Sequence, residues 1–255
     1  MMNYLLTLAY NGEAFHGWQR QDNAVTVQQT VEEAVEKLFL ESSTVNGCSR
    51  TDTGVHANCF KCNFHTQKYI AEKNVVSGLN FFLPDTVACL SCETVQENFH
   101  ARFDCKSKEY IYRIYNAEVR NPFYEGRAFF YKYKLDEKLL NEEAKAFIGT
   151  HDFTAFRAAG ATVKTTVRTI YDASVERYGD EVVFRVSGDG FLYNMVRIMV
   201  GTLIYISEGK IPKGTIRDII ESKDRLRAGM TIAPHGLYLN DVCFKDVNKN
   251  EHKPQ

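Results

Sequence analysis

Two strand-like runs, residues 167–177 and 181–187, are separated only by Tyr178-Gly179-Asp180. A connection that short can only fold one run back beside the other, because parallel strands need a crossover of a dozen or more residues. Antiparallel sheet is therefore what the rest of the chain has to accommodate. Upstream, Tyr110, Tyr112 and Ile114 alternate with Ile111, Arg113 and Tyr115, the period of a strand. Thr26 precedes Val27, Val31, Ala34, Val35 and Leu38, an apolar stripe at helical spacing, and Gln29 follows Thr26 by three residues as in a capping box. Further helices are expected over 70–81, stopping before Pro84, and over 136–147, 191–206 and 211–222. Further strands are expected over 4–10, 58–64 and 86–93. The same strand–helix grammar occurs in both halves, with no Pro/Gly/Ser-rich linker between them. It predicts an α+β chain of two domains, 1–105 and 106–247, followed by a polar tail at 248–255.

At 255 residues the chain is long enough for two modest cores. Its 44% hydrophobic and 25% charged residues are those of a globular protein. No apolar stretch has the length of a membrane-spanning helix, and Met1-Met2-Asn3-Tyr4 has no basic n-region, so a cytoplasmic location without a membrane partner is expected. Seven cysteines, an odd number, are expected as reduced thiols. Lys and Arg number 31 against 32 Asp and Glu, which argues mildly against a nucleic-acid partner but leaves room for one basic face.

Three stretches carry candidate chemistry. Ser49-Arg50-Thr51-Asp52-Thr53-Gly54-Val55-His56-Ala57 is a polar loop in which Asp52 has donors around it, and a positioned carboxylate can act as nucleophile or general base. An ordinary Asx-type turn would use the same residues. Arg197 interrupts the apolar Met195-Val196-Arg197-Ile198-Met199-Val200, where a charge is costly unless paired. Asn194, Arg197 and Gly201 fall on one narrow helical stripe, suited to close approach by a buried carboxylate, with Asp52 as the natural candidate. The pairs Cys59/Cys62 and Cys89/Cys92 spell C-x-x-C twice, but both lie in strand-like runs where residues three apart point to opposite faces. No metal site is expected from them. Arg157, Lys164 and Arg168 bracket Ala158-Ala159-Gly160-Ala161, a stretch able to follow a phosphate backbone, though taken singly each reads first as a solvated surface charge.

The nine-residue loop closely resembles the catalytic loop of the tRNA pseudouridine synthase A family, with Ser49 in place of that family's leading glycine. Other landmarks follow in the family's order: Phe15-His16-Gly17-Trp18-Gln19, Leu79-Asn80, Phe99-His100-Ala101-Arg102-Phe103, Tyr110-Ile111-Tyr112, His151-Asp152-Phe153-Thr154-Ala155-Phe156-Arg157, Met195-Val196-Arg197 and Gly236-Leu237-Tyr238-Leu239. The resemblance implies two α/β domains whose antiparallel sheets join, helices packed on them, and an active cleft between the domains. It implies isomerisation of uridine at positions 38, 39 and 40 of the tRNA anticodon stem-loop by a homodimer, without a cofactor. Asp52 takes the catalytic position. Tyr110 takes the position that packs on the target uracil, and Arg50 the one that enters the space of the flipped nucleotide. Arg20 and Arg102 sit in family motifs and are further candidates for RNA contact. A same-fold synthase with another RNA target and a non-catalytic RNA-binding module are the rival readings. Ser49 and Ile232-Ala233-Pro234-His235, where the family often has Ala-Pro-Pro-His, leave the first rival open; the intact Arg50-Thr51-Asp52 argues against the second.

Overall fold

A computed structural model describes residues 1–160 and 163–244. Ala161 of the 158–161 stretch and the polar tail at 248–255 lie outside the described residues. The chain forms two compact units, one of Met1–Lys106 together with the chain from Leu239, the other of Ser107–Tyr238.

The first unit runs through β1 (Met2–Tyr10), α1 (Val27–Phe39), β2 (Asn46–Gly47), β3 (His56–Thr66), α2 (Glu72–Phe82) and β4 (Val87–Val95). β1 lies between β3 and β4 and is antiparallel to both. Thr26 caps α1 by accepting the Gln29 N–H at 3.4 Å, while the Gln29 side chain turns outward to Glu33 instead of closing the box. Val27, Val31, Ala34, Val35 and Phe39 are buried, each valine contributing roughly 1.5–3 kcal/mol relative to an exposed position. Phe39 anchors the helix to the sheet, its ring 5.7 Å from Tyr4 and 5.3 Å from Phe64. Leu40 stops the helix in a left-handed conformation.

A bulge in the β1–β4 ladder corrects the cysteine argument. Thr7 faces Ser91 but Leu8 faces Cys89, so Leu90 is left over and points to solvent. The extra residue restores Cys89 and Cys92 to one face, and both are buried. Burial pushes the Cys89 thiol up to about 12 and raises Cys92 and Cys62 likewise. These thiols behave as small buried hydrophobes. Among the described residues no group of three or more His, Cys, Asp or Glu is arranged to hold a metal ion.

The second unit comprises β5 (Cys105–Tyr115), β6 (Phe129–Phe130), α3 (Glu137–Ala144), β7 (Gly149–Asp152), β8 (Val167–Tyr178), β9 (Glu181–Gly188), α4 (Met195–Ser207) and α5 (Ile216–Ser222). Its strands run in the order β5-β9-β8-β7, with β6 parallel to β5. β8 and β9 form the expected hairpin. Tyr110, Tyr112 and Ile114 face Val186, Phe184 and Val182, all six buried. α3 packs on β8 and beside α4. Two helix starts differ from the pattern. α4 begins at Met195 rather than near 191, because Asn194 stands at φ +59°, outside helical space. α5 begins at Ile216 because Pro212 and Gly214, at φ +76°, interrupt the apolar spacing.

A last strand, β10 (Leu237–Phe244), lies beside β3 and gives the first unit the order β4-β1-β3-β10. From Leu239 onward it belongs with the first unit, whereas a contiguous division at 106–247 places it in the second.

Candidate active site

The Asp52 loop is held from beneath by the segment that follows β1. Trp18 N–H donates to the Thr51 carbonyl at 3.1 Å, and Gly54 N–H donates to the Phe15 carbonyl at 3.4 Å. The Tyr10 hydroxyl bonds the Thr51 hydroxyl at 2.8 Å, and Gly12 N–H donates to His56 Nδ1 at 3.0 Å. His56 is therefore a buried acceptor that fixes the loop's exit, with no proton on Nδ1. Gly17 stands at φ +84°, and a Cβ there would lie 2.5 Å from the Thr51 carbonyl oxygen, so only glycine lets the two backbones meet. The chain then turns, Val55 N–H donating to the Asp52 carbonyl at 3.1 Å with Gly54 at φ +76°. Thr51 is buried, Asp52 is half-buried and Arg50 is exposed. Among the described residues Arg50 makes no hydrogen bond or ion pair. The loop thus has an immobilised backbone from which a carboxylate and a free guanidinium project.

Below that loop lies Gln28, which belongs to the Thr26-Val27-Gln28 landmark of the resemblance but was given no role from the sequence. It accepts from Gln19 Nε2 and Arg20 N–H, each at 2.9 Å, and donates to the Val45 carbonyl at 3.1 Å. Trp18 stacks on Phe60 with ring centroids 4.0 Å apart. The available signal was a glutamine at a buried turn of an otherwise apolar helix stripe.

In the second unit, Tyr110 is buried on β5 with the Phe191 ring edge-on at 5.1 Å. Phe191, given no role from the sequence either, fixes the tilt of the tyrosine ring. Arg197 is half-buried on α4. Its Nε donates to the Ile232 carbonyl at 2.7 Å and its Nη1 to Asn194 Oδ1 at 2.6 Å. The Asn194–Arg197–Gly201 stripe receives an extended segment, residues 229–233. A Cβ on Gly201 would lie 1.9 Å from the Met230 carbonyl oxygen, so backbone packs against backbone. The buried Thr202 hydroxyl accepts Gly229 N–H at 2.9 Å, Arg225 grips the Gly229 carbonyl at 2.8 Å, and the Tyr112 hydroxyl donates to the Ala233 carbonyl at 2.7 Å. Burial raises the Tyr112 hydroxyl well above its ordinary range, opposed in part by the Arg197 charge nearby. The guanidinium is thereby fixed at two of its nitrogens, which sets the plane of the remainder.

Comparison with known proteins supplies the family. The profile of a family described as tRNA pseudouridine synthase matches residues 7–104 and 144–245. The "tRNA pseudouridine synthase A" of Clostridium acetobutylicum is 45% identical over 244 residues, covering 96% of this chain and all of the relative. That of Acetivibrio thermocellus is also 45% identical over 244 residues with the same coverage. The "tRNA pseudouridine synthase A 2" of Clostridium perfringens is 43% identical over 244 residues, again covering 96% and 100%. The chain belongs to the tRNA pseudouridine synthase family. It is an isomerase. Asp52 and Arg197 lie within the residues that the family profile matches, whereas Tyr110 falls in the gap between its two matched stretches.

The remaining basic candidates of this synthase are placed unequally. Arg20 is committed to Glu32 at 2.9 Å, although it is more than half exposed. Arg168 folds back onto the carbonyls of Thr165 and Val167 at 3.0 and 2.6 Å. The Arg157 N–H closes a turn onto the Thr154 carbonyl at 3.2 Å, and its side chain is half-buried. Lys164 is exposed with no partner among the described residues, and the Arg102 guanidinium likewise makes no hydrogen bond or ion pair among them. Only these last two, with Arg50, keep their charge available.

Asp152, in the His151–Arg157 motif, is a structural carboxylate. The hydroxyls of Thr166 and Thr154 and the Lys223 ammonium, 2.9 Å away, hold its carboxyl well below the usual range. A group whose folded pKa is depressed stabilises the fold fully above its unfolded value, near pH 4, and loses that contribution only as pH falls through the depressed folded value. Asp152→Asn is expected to cost about 1–2 kcal/mol at pH 7, a gap that starts to narrow below about pH 4 and is still partly present at about pH 3. Urea midpoints for both proteins between about pH 3 and 7 check this; a gap that is absent at pH 7, or that widens below about pH 4, contradicts it.

Proposed function

We propose that this synthase converts uridine to pseudouridine in the anticodon stem-loop of tRNA, at positions 38, 39 and 40, with Asp52 as the catalytic carboxylate. The observation that carries the reading is the Arg50-Thr51-Asp52 backbone, pinned by Trp18, Phe15 and Gly17 so that the side chain of residue 52 is presented from a rigid support. The reaction breaks the C1′–N1 bond, turns the free base, and joins C1′ to C5. The C5 hydrogen leaves as a proton and N1 gains one, so nothing is oxidised and no cofactor is called for. A stacked uridine hides these atoms, so the nucleotide has to leave its helix. Arg50 is suited to fill the space it vacates. The face of Tyr110 is suited to hold a rotating base, since a flat ring imposes no hydrogen-bond direction. Arg197, its fork oriented by Asn194 and Ile232, serves the Asp52 carboxylate.

The chain works in the cytoplasm as a homodimer around tRNA in this reading. Binding is expected to weaken steeply with salt despite the neutral total, because phosphate contacts release counterions; a flat dependence of tRNA affinity between 50 and 200 mM salt contradicts the reading. Ser49 and the 232–235 departure keep a shifted target as the second reading. Mapping pseudouridine across total RNA from a deletion strain separates the two: loss at 38–40 of tRNA supports the first, loss elsewhere with 38–40 intact supports the second.

A further inference from the structure

The turn after β4 exposes an aromatic ring on an unusually firm base. Asn3 and Asn63 are 1% and 0% exposed. Asn3 Nδ2 donates to the Gln96 and Phe99 carbonyls at 2.9 Å each, and Asn63 Nδ2 donates to Asn3 Oδ1 at 2.9 Å and to the Phe99 carbonyl at 3.2 Å. Asn63 Oδ1 in turn accepts the N–H of the fully buried Ala101 at 2.8 Å. Above this amide network, Phe103 and Asp104 N–H both donate to the His100 carbonyl at 3.0 Å, and Asp104 Oδ2 takes the His100 N–H at 2.8 Å. A satisfied buried polar network rigidifies what it touches. Yet the residue it presents, Phe103, is 72% exposed. The His100 ring lies 4.3 Å from it and the Arg102 guanidinium 6.0 Å. Arg102 and the exposed Lys106 have no carboxylate partner among the described residues.

We infer that Phe103, flanked by His100 and Arg102, is a stacking platform for one unpaired RNA base, with Arg102 and Lys106 meeting the adjoining phosphates. An exposed π-face beside uncommitted cations fits a nucleotide, which offers a flat base and an anion a few ångströms apart; a purely apolar partner would leave both cations unmatched. The inference rests on the RNA-binding reading above and adds a contact made by residues outside the Asp52 loop.

The test is tRNA affinity by fluorescence anisotropy at several salt concentrations, with melting temperature measured alongside. Phe103→Ala is expected to weaken binding about tenfold, with an unchanged salt slope and an unchanged melt. Phe103→Trp is expected to stay near the parent, and Phe103→Leu to fall with Ala, because leucine keeps the apolar bulk and loses the face. Arg102→Gln should lower the salt slope by about one contact. Parent-like binding by Phe103→Ala, or rescue by Phe103→Leu, overturns the platform while leaving the RNA reading standing. A change in oligomeric state with tRNA affinity unaltered overturns it in favour of a protein face. No tRNA binding by the parent chain overturns the RNA reading and this inference together.

Discussion

Arg197→Lys is expected to fold normally and to turn over about a hundredfold more slowly than the parent. Lysine keeps the charge but cannot hold the Ile232 carbonyl and Asn194 Oδ1 at once while pointing a planar fork elsewhere. Misplacing a catalytic neighbour by about an ångström costs on that scale. Arg197→Met removes charge and donors together. It leaves the Ile232 carbonyl and the Asn194 amide without their partner and, on the proposed pairing, the Asp52 carboxylate as well. Both Arg197 and Asp52 are half-buried, so water recovers part of the loss, and destabilisation of about 1–3 kcal/mol is expected rather than the larger cost of a fully buried orphan charge. Combining Arg197→Met with Asp52→Asn should recover a measurable part of it. Denaturant melts of the four proteins give the coupling directly. Strict additivity would mean that Arg197 serves the segment at 229–233 alone.

Asp52→Asn is expected to abolish turnover, by more than about a thousandfold, while preserving the melt and tRNA affinity. The backbone around residue 52 is set by Trp18, Phe15, Tyr10 and Gly17, and none of those bonds uses the Asp52 side chain. Asparagine has nearly the same shape, so the loop should form unaltered and the RNA should dock. Circular dichroism, melting and anisotropy check the retained fold and binding. A mutant that loses affinity in parallel with rate would make Asp52 a binding residue.

What the residues disclosed in advance follows from which interactions are local. The α1 stripe, its Thr26 cap and the β8–β9 hairpin depend on spacings within one element and appear as the pattern predicts, except that Phe39 is buried where Leu38 was expected, Leu38 staying half-buried, and Gln29 does not close the box. Asn194 and Arg197 were legible as neighbours for the same reason, one helical turn apart, even though Asn194 proved to be a left-handed cap. The bulge at Leu90 was not legible, because it arises from the registry of β4 against β1, and it reversed the facing of Cys89 relative to Cys92. The partner of the α4 stripe was also hidden. Gly201 announces that something comes close, but only tertiary folding brings residues 229–233 there. From Leu239 onward β10 is grouped with the first unit, and its own apolar run carries no mark of that.

The measurement that bears most directly on the whole account is release of the C5 hydrogen from tRNA carrying tritiated uridine, followed over time for the parent chain and for Asp52→Asn. The account predicts tritium release by the parent that stops at the number of target uridines per tRNA, is unaffected by EDTA, and is absent from the mutant. Release by Asp52→Asn at a rate near that of the parent would contradict it, as would a parent chain that binds tRNA and releases nothing.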